Sequence, residues 1–421
     1  MTSLAEPLAT TDTTPGTPAT HYVGRRYLQL VLVLGALSAI GPLTIDAYLP
    51  ALPALSAEMG ATDSQAQLTI TGLLLGLGLG QLLVGPLSDA VGRRKPLLVG
   101  LAAHGLMSVL CALAPSITLL AVTRTLQGLA GAAVAVVSMA VVRDLFSGIK
   151  AAQLLSRLML VVGVAPILAP SIGSALLSFT SWRGIFVVLA VVAVALFVLA
   201  VFALPETLPA VRRQPGNVRG SLRAYRVLFT DRLFVVMVLV SGLMFATLFA
   251  YISGAPFILQ ELYGLSPAEF GVAFSVNAVG LVVLTQVNPL LVKRYTPVRV
   301  LLASVIISTT GAAALVLTTV TGFGGFLGFM VPLFFVVSAA GLAFPNAPAI
   351  ALNRHGESAG SAAALLGAAQ FMIGGAIAPL VGALANGTPV PMAGVILGAS
   401  ALALVFFLSS RRRLDAITYD D

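Results

Sequence analysis

Hydrophobic residues occur along this chain in long continuous runs, each close to the roughly 20 residues that a helix needs to cross a bilayer. Short polar segments separate the runs. The pattern predicts twelve membrane-spanning helices, near residues 27–49, 66–86, 97–114, 117–142, 152–178, 184–204, 233–257, 268–291, 299–320, 325–350, 359–386 and 391–410. Because the runs do not alternate between apolar and polar residues, they do not fit the strands of a membrane β-barrel. We therefore expect an all-α membrane protein.

The composition narrows the possible functions. Of the 421 residues 58% are apolar and only 9% are charged, whereas roughly a quarter of the residues of a soluble domain are charged. An ordinary soluble enzyme is therefore excluded. The single cysteine, Cys111, excludes an intrachain disulfide and a cysteine-based metal site, and the three histidines are far apart in sequence. No GxxxxGK followed by Ser or Thr is present to bind ATP phosphates, so we expect neither a metal nor a cofactor.

The basic residues predict the orientation of the chain. With a cytoplasmic N-terminus, 21 of the 23 Lys and Arg residues fall on the cytoplasmic side, Arg183 lies outside and Arg124 lies within a span. Cytoplasmic loops of membrane proteins carry this excess. Topology thus accounts for the formal net charge of +8, and we expect no nucleic-acid partner. The chain is expected to cross the cytoplasmic (cell inner) membrane many times, with both termini in the cytoplasm.

The longest polar segment divides the chain into two halves. We predict a disordered cytoplasmic tail, a six-helix bundle, a cytoplasmic linker, a second six-helix bundle and a cytoplasmic tail, at 1–26, 27–204, 205–232, 233–410 and 411–421 respectively. A weak repeat at an offset of 203 supports the division, since Pro53 falls on Pro256 and Pro86 on Pro289. Two parallel halves with a substrate site between them are typical of one large class of secondary transporter.

The segment from Gly85 to Pro96, between the second and third spans, carries a recognisable motif. Gly85 and Gly92 suit a sharp turn with close backbone approach, and Asp89 can pair with Arg93 or Arg94. The pattern GxLxDxxGRRK resembles the best-known motif of the major facilitator superfamily. A basic loop on the cytoplasmic side would by itself explain only the charges.

Four further segments share this resemblance. Residues 124–131 are similar to the RxxQGxG element of the superfamily. Residues 163–173 resemble the motif of its antiporters, carried here by Gly163, Pro166, Pro170 and Gly173, with Ala-Pro at 169–170 where many members have Gly-Pro. Residues 46–53, together with 142–145, are similar to the Bcr/CflA branch of drug:proton antiporters. The resemblance covers residues 27–410 and implies the major facilitator fold, with export of amphenicol-type and other antibiotics in exchange for protons.

Asp46 is the candidate for proton coupling. Apart from Glu269 at the very start of the eighth span, it is the only one of the 15 acidic residues that falls inside a predicted span, and counting along the helix puts it near the outer end of the hydrocarbon. Desolvation favours the protonated form of a carboxyl group and a nearby cation favours the ionised form, so a balanced group can take up and release a proton. The alternative is a helix end at the level of the lipid headgroups.

Arg124 is the second candidate. A cation at this depth costs about 2.5–3.5 kcal/mol on insertion scales, so it should face a cavity or a partner. The resemblance implies that it helps to govern protonation of the acidic site. A structural anchor to the first span is the alternative.

The charges at the cytoplasmic ends of spans two to four are predicted to form a gate. The candidates are Gly85, Asp89, Gly92, Arg93, Arg94 and Asp144. Such pairs are individually weak at a wet surface, but as a network they can bias a two-state rocking equilibrium. We expect them to be tied together when the protein faces outward.

The cargo contacts are expected among polar and aromatic residues of the spans. The candidates are Tyr48, Gln127, Phe245, Tyr251, Asn277, Asn346 and Gln370, each of which is as readily explained as a contact between helices. His104, in the third span, could relay protons, but a hydrogen-bonded structural histidine is favoured.

The sequence therefore predicts a proton-coupled multidrug or antibiotic exporter that works by alternating access. Its expected partners are a small amphipathic drug, protons and the lipid bilayer, and we expect a functional monomer. A proton-coupled exporter of sugars or amino acids is the alternative. An intramembrane enzyme is not expected, because the spans contain no nucleophile–base set.

Overall fold

The computed structural model describes residues 25–146, 148–213, 218–353, 355 and 359–414. Within these ranges the chain forms only helices and their connections. The helices are α1 (Arg25–Asp46), α2 (Leu52–Glu58), α3 (Asp63–Val91), α4 (Arg94–Ala112), α5 (Ile117–Leu145), α6 (Gly148–Leu177), α7 (Trp182–Ala203), α8 (Val218–Thr230), α9 (Arg232–Phe257), α10 (Pro267–Arg294), α11 (Pro297–Thr321), α12 (Gly325–Leu352), α13 (Ala359–Ala383), α14 (Val390–Ser409) and α15 (Arg411–Leu414). Two 3-10 turns (Leu49–Ala51 and Ala210–Arg212) and one π turn (Ile258–Leu262) complete them.

Twelve stretches of the described chain are long and apolar enough to cross a membrane, which confirms the prediction of twelve spans. The main difference is in the first span. It runs from Tyr27 to Glu58 and includes α1, the 3-10 turn and α2, whereas the sequence pattern placed its end at residue 49. The tail predicted at 1–26 lies outside the described residues except for Arg25 and Arg26, which belong to α1, and only residues 411–414 of the second tail are described. The linker contains α8.

Side-chain caps explain where several spans begin. Thr62 accepts from the backbone N–H of Gln65 while the Gln65 side chain accepts from that of Thr62, and Ser266 and Glu269 form the same capping box at α10. Asp231 caps α9 in a related way. These contacts satisfy backbone N–H groups that have no partner inside the helix.

Prolines inside the spans create contacts between helices. Proline has no N–H, so the carbonyl oxygen four residues earlier loses its helical partner. In four cases a hydroxyl from another helix donates to that oxygen over 2.7–3.4 Å: Tyr225 to Leu82, Thr71 to Gly375, Thr285 to Gly341 and Thr318 to Gly328. Polar side chains therefore join the helices where the backbone is interrupted.

The two halves pack differently at the two ends of the molecule. We call inner the end that carries α8 and both described chain ends, and outer the opposite end. Near the outer end one cluster of buried apolar side chains runs through both halves, including Leu73 and Phe186 of the first half and Phe249 and Leu333 of the second. Near the inner end each half has a separate cluster. The halves thus share one apolar cluster at the outer end, whereas each half has a cluster of its own at the inner end.

Candidate functional site

A break in the first span positions Asp46. The helix α1 ends at this residue, and Pro50 and Pro53 follow in the 3-10 turn and in α2. Proline disfavours continuation of the preceding helix. The apolar stretch continues beyond Asp46 through α2 to Glu58. The side chain of Asp46 is only 4% exposed, so the protein encloses it.

Arg124 is fixed against this break. Its Nη1 donates to the backbone oxygen of Thr44 over 3.0 Å and to Oε1 of Gln127 over 2.8 Å. The carbonyl oxygens in the last turn of a helix lack helical partners, which explains why the end of α1 accepts from a cation. The guanidinium also lies 4.4 Å from the ring centroid of Tyr48 and 5.5 Å from that of Phe186. The anchor to the first span, given above as an alternative role, is therefore present.

A hydrogen-bonded network surrounds Arg124 inside the first half. Gln127 donates to Oγ of Ser108 over 2.7 Å, and Ser108 donates to the backbone oxygen of His104. Nε2 of His104 lies 3.0 Å from Oγ1 of Thr44. The sequence analysis named Gln127 and His104 as separate candidates. No sequence pattern indicated that Ser108 and Thr44 would be hydrogen-bonded to them. These side chains hold Arg124 in place.

Asp46 does not form an ion pair with Arg124. No carboxylate–guanidinium contact within 4.0 Å between them is found among the ion pairs of the described residues. Thr44 lies two residues before Asp46, on nearly the opposite face of α1, so the face that meets Arg124 is not the face of the carboxylate. One carboxylate oxygen, Oδ1, is buried without a hydrogen-bond partner, as are Nε and Nη2 of Arg124. The carboxylate of Asp46 and the guanidinium of Arg124 thus both keep unused hydrogen-bonding capacity near the end of α1.

The antiporter motif packs directly on the break. Gly173 of α6 lies against the backbone of Ala47, and a Cβ at position 173 would overlap that backbone. Near the same end of α6, Oγ of Ser174 donates to the backbone oxygens of Pro170 and Pro267, over 2.8 Å and 2.6 Å. Gly163 faces Val282 of α10. The motif therefore sits between the break and the second half.

The second half presents neutral polar groups towards the same region. Nδ2 of Asn277 donates to the hydroxyl oxygen of Tyr251 over 3.1 Å, and Oδ1 of Asn277 is buried without a partner. Tyr251 interacts electrostatically with Asp46 and stacks on Phe274 at 5.2 Å. Its O–H remains available as a donor, because the oxygen accepts from Asn277.

The other cargo candidates lie in contacts between helices. Tyr48 forms a 2.5 Å hydrogen bond with Thr69, Asn346 donates to Asn288, and Gln370 donates to Ser241. Phe245 is half-buried in an aromatic cluster with Phe249, Phe344 and Phe371, at centroid distances of 4.8–5.4 Å. The structure therefore places Phe245 in an apolar surface and the three polar candidates in helix packing.

The predicted charges at the inner ends of spans two to four come together around Arg93. This side chain donates through Nε to Asp144 over 2.8 Å and through Nη1 to Asp89 over 2.5 Å and to Ser88 over 2.8 Å. Arg94 instead donates to the backbone oxygen of Val201. Asp89, Arg93 and Asp144 all belong to the first half, and the cluster is formed here while the outer end is closed.

The prediction that Gly85 forms a turn is wrong. The helix α3 continues to Val91, so Gly85 is helical and the connection to α4 consists only of Gly92 and Arg93. Tyr225 satisfies the carbonyl that Pro86 leaves free, so the proline does not end the helix. Gly92 does form the turn, with φ of +98°, a region that favours glycine.

Glu206 is a member of the inner cluster that the sequence reasoning assigned only to the linker. Its Oε1 accepts from the backbone N–H of Arg93 over 2.8 Å and from that of Leu208 over 3.0 Å, and its Oε2 accepts from that of Arg94 over 3.3 Å. Burial acts to raise the pKa of this carboxyl, but these N–H groups and Arg213 outweigh it and hold the pKa below its usual value. The signal available in the sequence was an acid just after span six, opposite a basic loop.

Side chains from the two halves seal the outer end. Nε2 of Gln67 donates to the backbone oxygen of Ser253 over 3.1 Å, and its Oε1 accepts from the N–H of Gly382 over 2.8 Å. Thr71 donates to the oxygen of Gly375, and Ser64 to that of Pro379. On the opposite face of the molecule Ser275 of α10 donates to Ile167 of α6. The central acid is therefore closed off from the outer side.

Comparison with known proteins supports one family. A family model described as Major Facilitator Superfamily matches residues 34–379. An uncharacterized MFS-type transporter of Bacillus subtilis, YdgK, is 37% identical over 397 residues, which cover 93% of this chain and 98% of the relative. A bicyclomycin resistance protein homolog of Haemophilus influenzae is 29% identical, with coverage of 90% and 96%. The solved structure of the xylose transporter XylE from E. coli, partially occluded and inward open, has a TM-score of 0.71 at 14% identity, covers 92% of this chain and 98% of that one, and is a likeness of fold alone.

Proposed function

The chain belongs to the Major Facilitator Superfamily, and we propose that it exports small amphipathic drugs in exchange for protons by alternating access. One observation carries this proposal. Asp46 is buried at a break in the first span, holds an unpartnered carboxylate oxygen and interacts with Tyr251 of the other half. An ionisable group in this position is a candidate for function by default.

The surroundings of Asp46 suit a group that binds and releases a proton. Removal from water disfavours an ionised carboxylate, and a cation at close range favours it. Arg124 is held on Thr44 and Tyr48 rather than on the carboxylate, so it does not occupy the oxygens that would bind the proton. Cargo that arrives between Asp46 and the Tyr251–Asn277 pair would change the solvation of the acid and so couple binding to proton release.

The character of the cargo follows from the second half. Its central residues are neutral hydrogen-bonding groups beside the Phe245 cluster, which suits a largely apolar molecule with one or two polar groups. The relative of Haemophilus influenzae carries the name of a bicyclomycin resistance protein, which favours a drug. We include amphenicols among the drugs that the protein is proposed to export. An exporter of sugars or amino acids is the second candidate function.

The proposed orientation places the inner end in the cytoplasm. The inner connections hold nearly all the basic residues, as cytoplasmic loops do. The closed outer end then corresponds to a carrier that loads its cargo from the cytoplasm. We propose that a single chain is the functional unit, since each half supplies one side of the central region.

The test is transport in proteoliposomes that contain the purified full-length chain, with chloramphenicol as the cargo and an imposed proton gradient. We expect Asp46→Asn to lower gradient-driven transport at least tenfold while it retains exchange of labelled against unlabelled cargo without a gradient. Glu269→Gln, at an outer helix start, is the control and should transport normally. Undiminished gradient-driven transport by Asp46→Asn would overturn the coupling role. No transport of chloramphenicol, dyes or quaternary cations by the unaltered chain would favour the metabolite exporter.

A further inference from the structure

A cavity of about 190 Å³ opens at the outer end, apart from the Asp46 region. Its walls come from α3, the end of α9 with its π turn, α13 and α14. They are mostly apolar, with Phe257, Ile258, Val381 and Met392 among them. A cavity of about 150 Å³ is enough for a benzene-sized molecule, so this one has room for an aromatic ring with a small substituent.

Two carboxylates face this cavity, Asp63 from the first half and Glu261 from the second. They interact electrostatically with each other, and neither takes part in the ion pairs of the described residues. Among the residues that the structure describes, no Lys, Arg or His lines the cavity. Like charges that face a common apolar space repel each other, and a cation between them would offset that repulsion.

The neutral polar groups of the cavity are already occupied. Gln67 uses its amide on Ser253 and Gly382, and the hydroxyl of Thr388 donates to Asn386. The unused groups are therefore the two carboxylates, which accept hydrogen bonds and carry negative charge. Because the free polar groups of the cavity are carboxylates, the cavity disfavours the binding of anions.

A purely structural role explains one acid but not the other. Asp63 lies in the first turn of α3, where a carboxylate stabilises the positive end of the helix dipole. Glu261 lies in the π turn Ile258–Leu262 that ends α9, where the dipole disfavours an acid. Such π turns occur frequently at functional sites. Glu261 is exposed and Asp63 is half-buried, so both carboxylates can be reached from the outer side.

We propose that this cavity binds a small organic cation, an ammonium group carrying an aromatic or branched apolar body. The charge would lie between Asp63 and Glu261 and the body against Phe257 and Met392. Because Asp63 and Gln67 belong to the first half and the other lining residues to the second, the ligand bridges the halves while the outer end is closed. The site does not depend on proton exchange at Asp46.

The probe for the test is phenyltrimethylammonium, with tert-butylbenzene as a neutral molecule of the same shape. Binding to the purified full-length chain in detergent is measured by equilibrium dialysis and saturation-transfer NMR, at low and high salt. We expect the cation to bind at least tenfold more tightly than the neutral molecule. The double variant Asp63→Asn with Glu261→Gln should lose that preference, and Glu261→Gln alone should reduce it.

Two controls keep the outcome decisive. Glu269→Gln removes another outer acid and should bind like the unaltered chain, and so should Asp46→Asn. Equal binding of the cation and the neutral molecule would overturn the proposal. Unchanged cation binding in both carboxylate variants would overturn it as well. If the double variant fails to fold, the result for Glu261→Gln alone decides between these outcomes. Loss of binding in Asp46→Asn would place the cation at the central acid and also overturn it. If the transport experiment contradicts proton coupling at Asp46 but cation binding follows the expected pattern, the cation site is still supported.

Discussion

Replacement of Gln67 by leucine should shift the protein from the outer-closed arrangement towards an outer-open one. The amide of Gln67 makes two hydrogen bonds to the second half, to the oxygen of Ser253 and from the N–H of Gly382. Both disappear in Gln67→Leu, which has nearly the same volume and so leaves the helix contact filled. The side chain borders the outer cavity, so water that enters the cavity takes over part of the lost bonds and the net value of a hydrogen bond applies.

The size of the shift follows from these two bonds. Each net hydrogen bond contributes about 0.5–1.5 kcal/mol, which gives about 1–3 kcal/mol for the pair. Only the outer-closed state contains the pair, so the whole amount acts on the equilibrium between the states. A change of this size corresponds to about a 5- to 150-fold shift towards the outer-open state.

The assay is double electron–electron resonance between spin labels at the outer end. Leu113 and Phe323 lie in outer connections of different halves and are 71% and 75% exposed, so cysteines there accept labels in a Cys111→Ala background. We expect a longer distance to gain population in Gln67→Leu. Gln153→Leu, on the exposed face of α6 near the inner end, is the control and should match the parent. An unchanged distance distribution in Gln67→Leu would refute the reasoning that this residue holds the outer end closed.

Three further outcomes follow from the site. Arg124→Lys keeps the charge but loses the planar group that lies on Tyr48 and donates to both Thr44 and Gln127. Gradient-driven transport should therefore fall at least tenfold, and normal transport by this variant would exclude a role for the shape of the guanidinium group. Gly92→Ala should lower the melting temperature of the chain, because φ is +98° and the new Cβ would meet the carboxylate of Glu206, whereas Gly85→Ala, in open helical surroundings, should not. The depressed pKa of Glu206 means that its contribution to stability is present above the ordinary Glu pKa and is lost as the pH falls through the folded-state value. Hydrogen exchange at Arg93 and Arg94, after correction for the intrinsic rate, should therefore be independent of pH near neutrality and rise in acid. In Glu206→Gln the exchange should already be raised near neutrality and should not rise further in acid.

The spans could be predicted because the bilayer imposes a strong rule on the sequence. Every backbone polar group in hydrocarbon must be satisfied within the helix, so length and hydropathy suffice to place most helices within a few residues. The first span was placed too short because its prolines resemble an end, whereas the structure continues through α2 to Glu58. Gly85 was placed in a turn for a similar reason, since the partner of the carbonyl freed by Pro86 comes from the distant Tyr225.

The sequence predicted which residues belong to the candidate site better than it predicted which of them are in contact. Asp46 and Arg124 stood out because charges in a span are costly, and both are buried at one level. Their lack of direct contact could not be read from the sequence. It depends on which face of α1 meets α5 and on the free carbonyl of Thr44, both of which follow from packing.

The sequence by itself determined the class of protein, the number of spans, the family and the two central charges, because hydropathy, charge and short motifs are local properties. Only the tertiary structure decided which ends of the halves are joined, that Glu206 supports the turn at Gly92, and that Asp63 and Glu261 face one cavity. Those relations join residues more than a hundred positions apart through single hydrogen bonds and helix contacts. No local pattern encodes such contacts, because their partners are chosen by how the two halves pack.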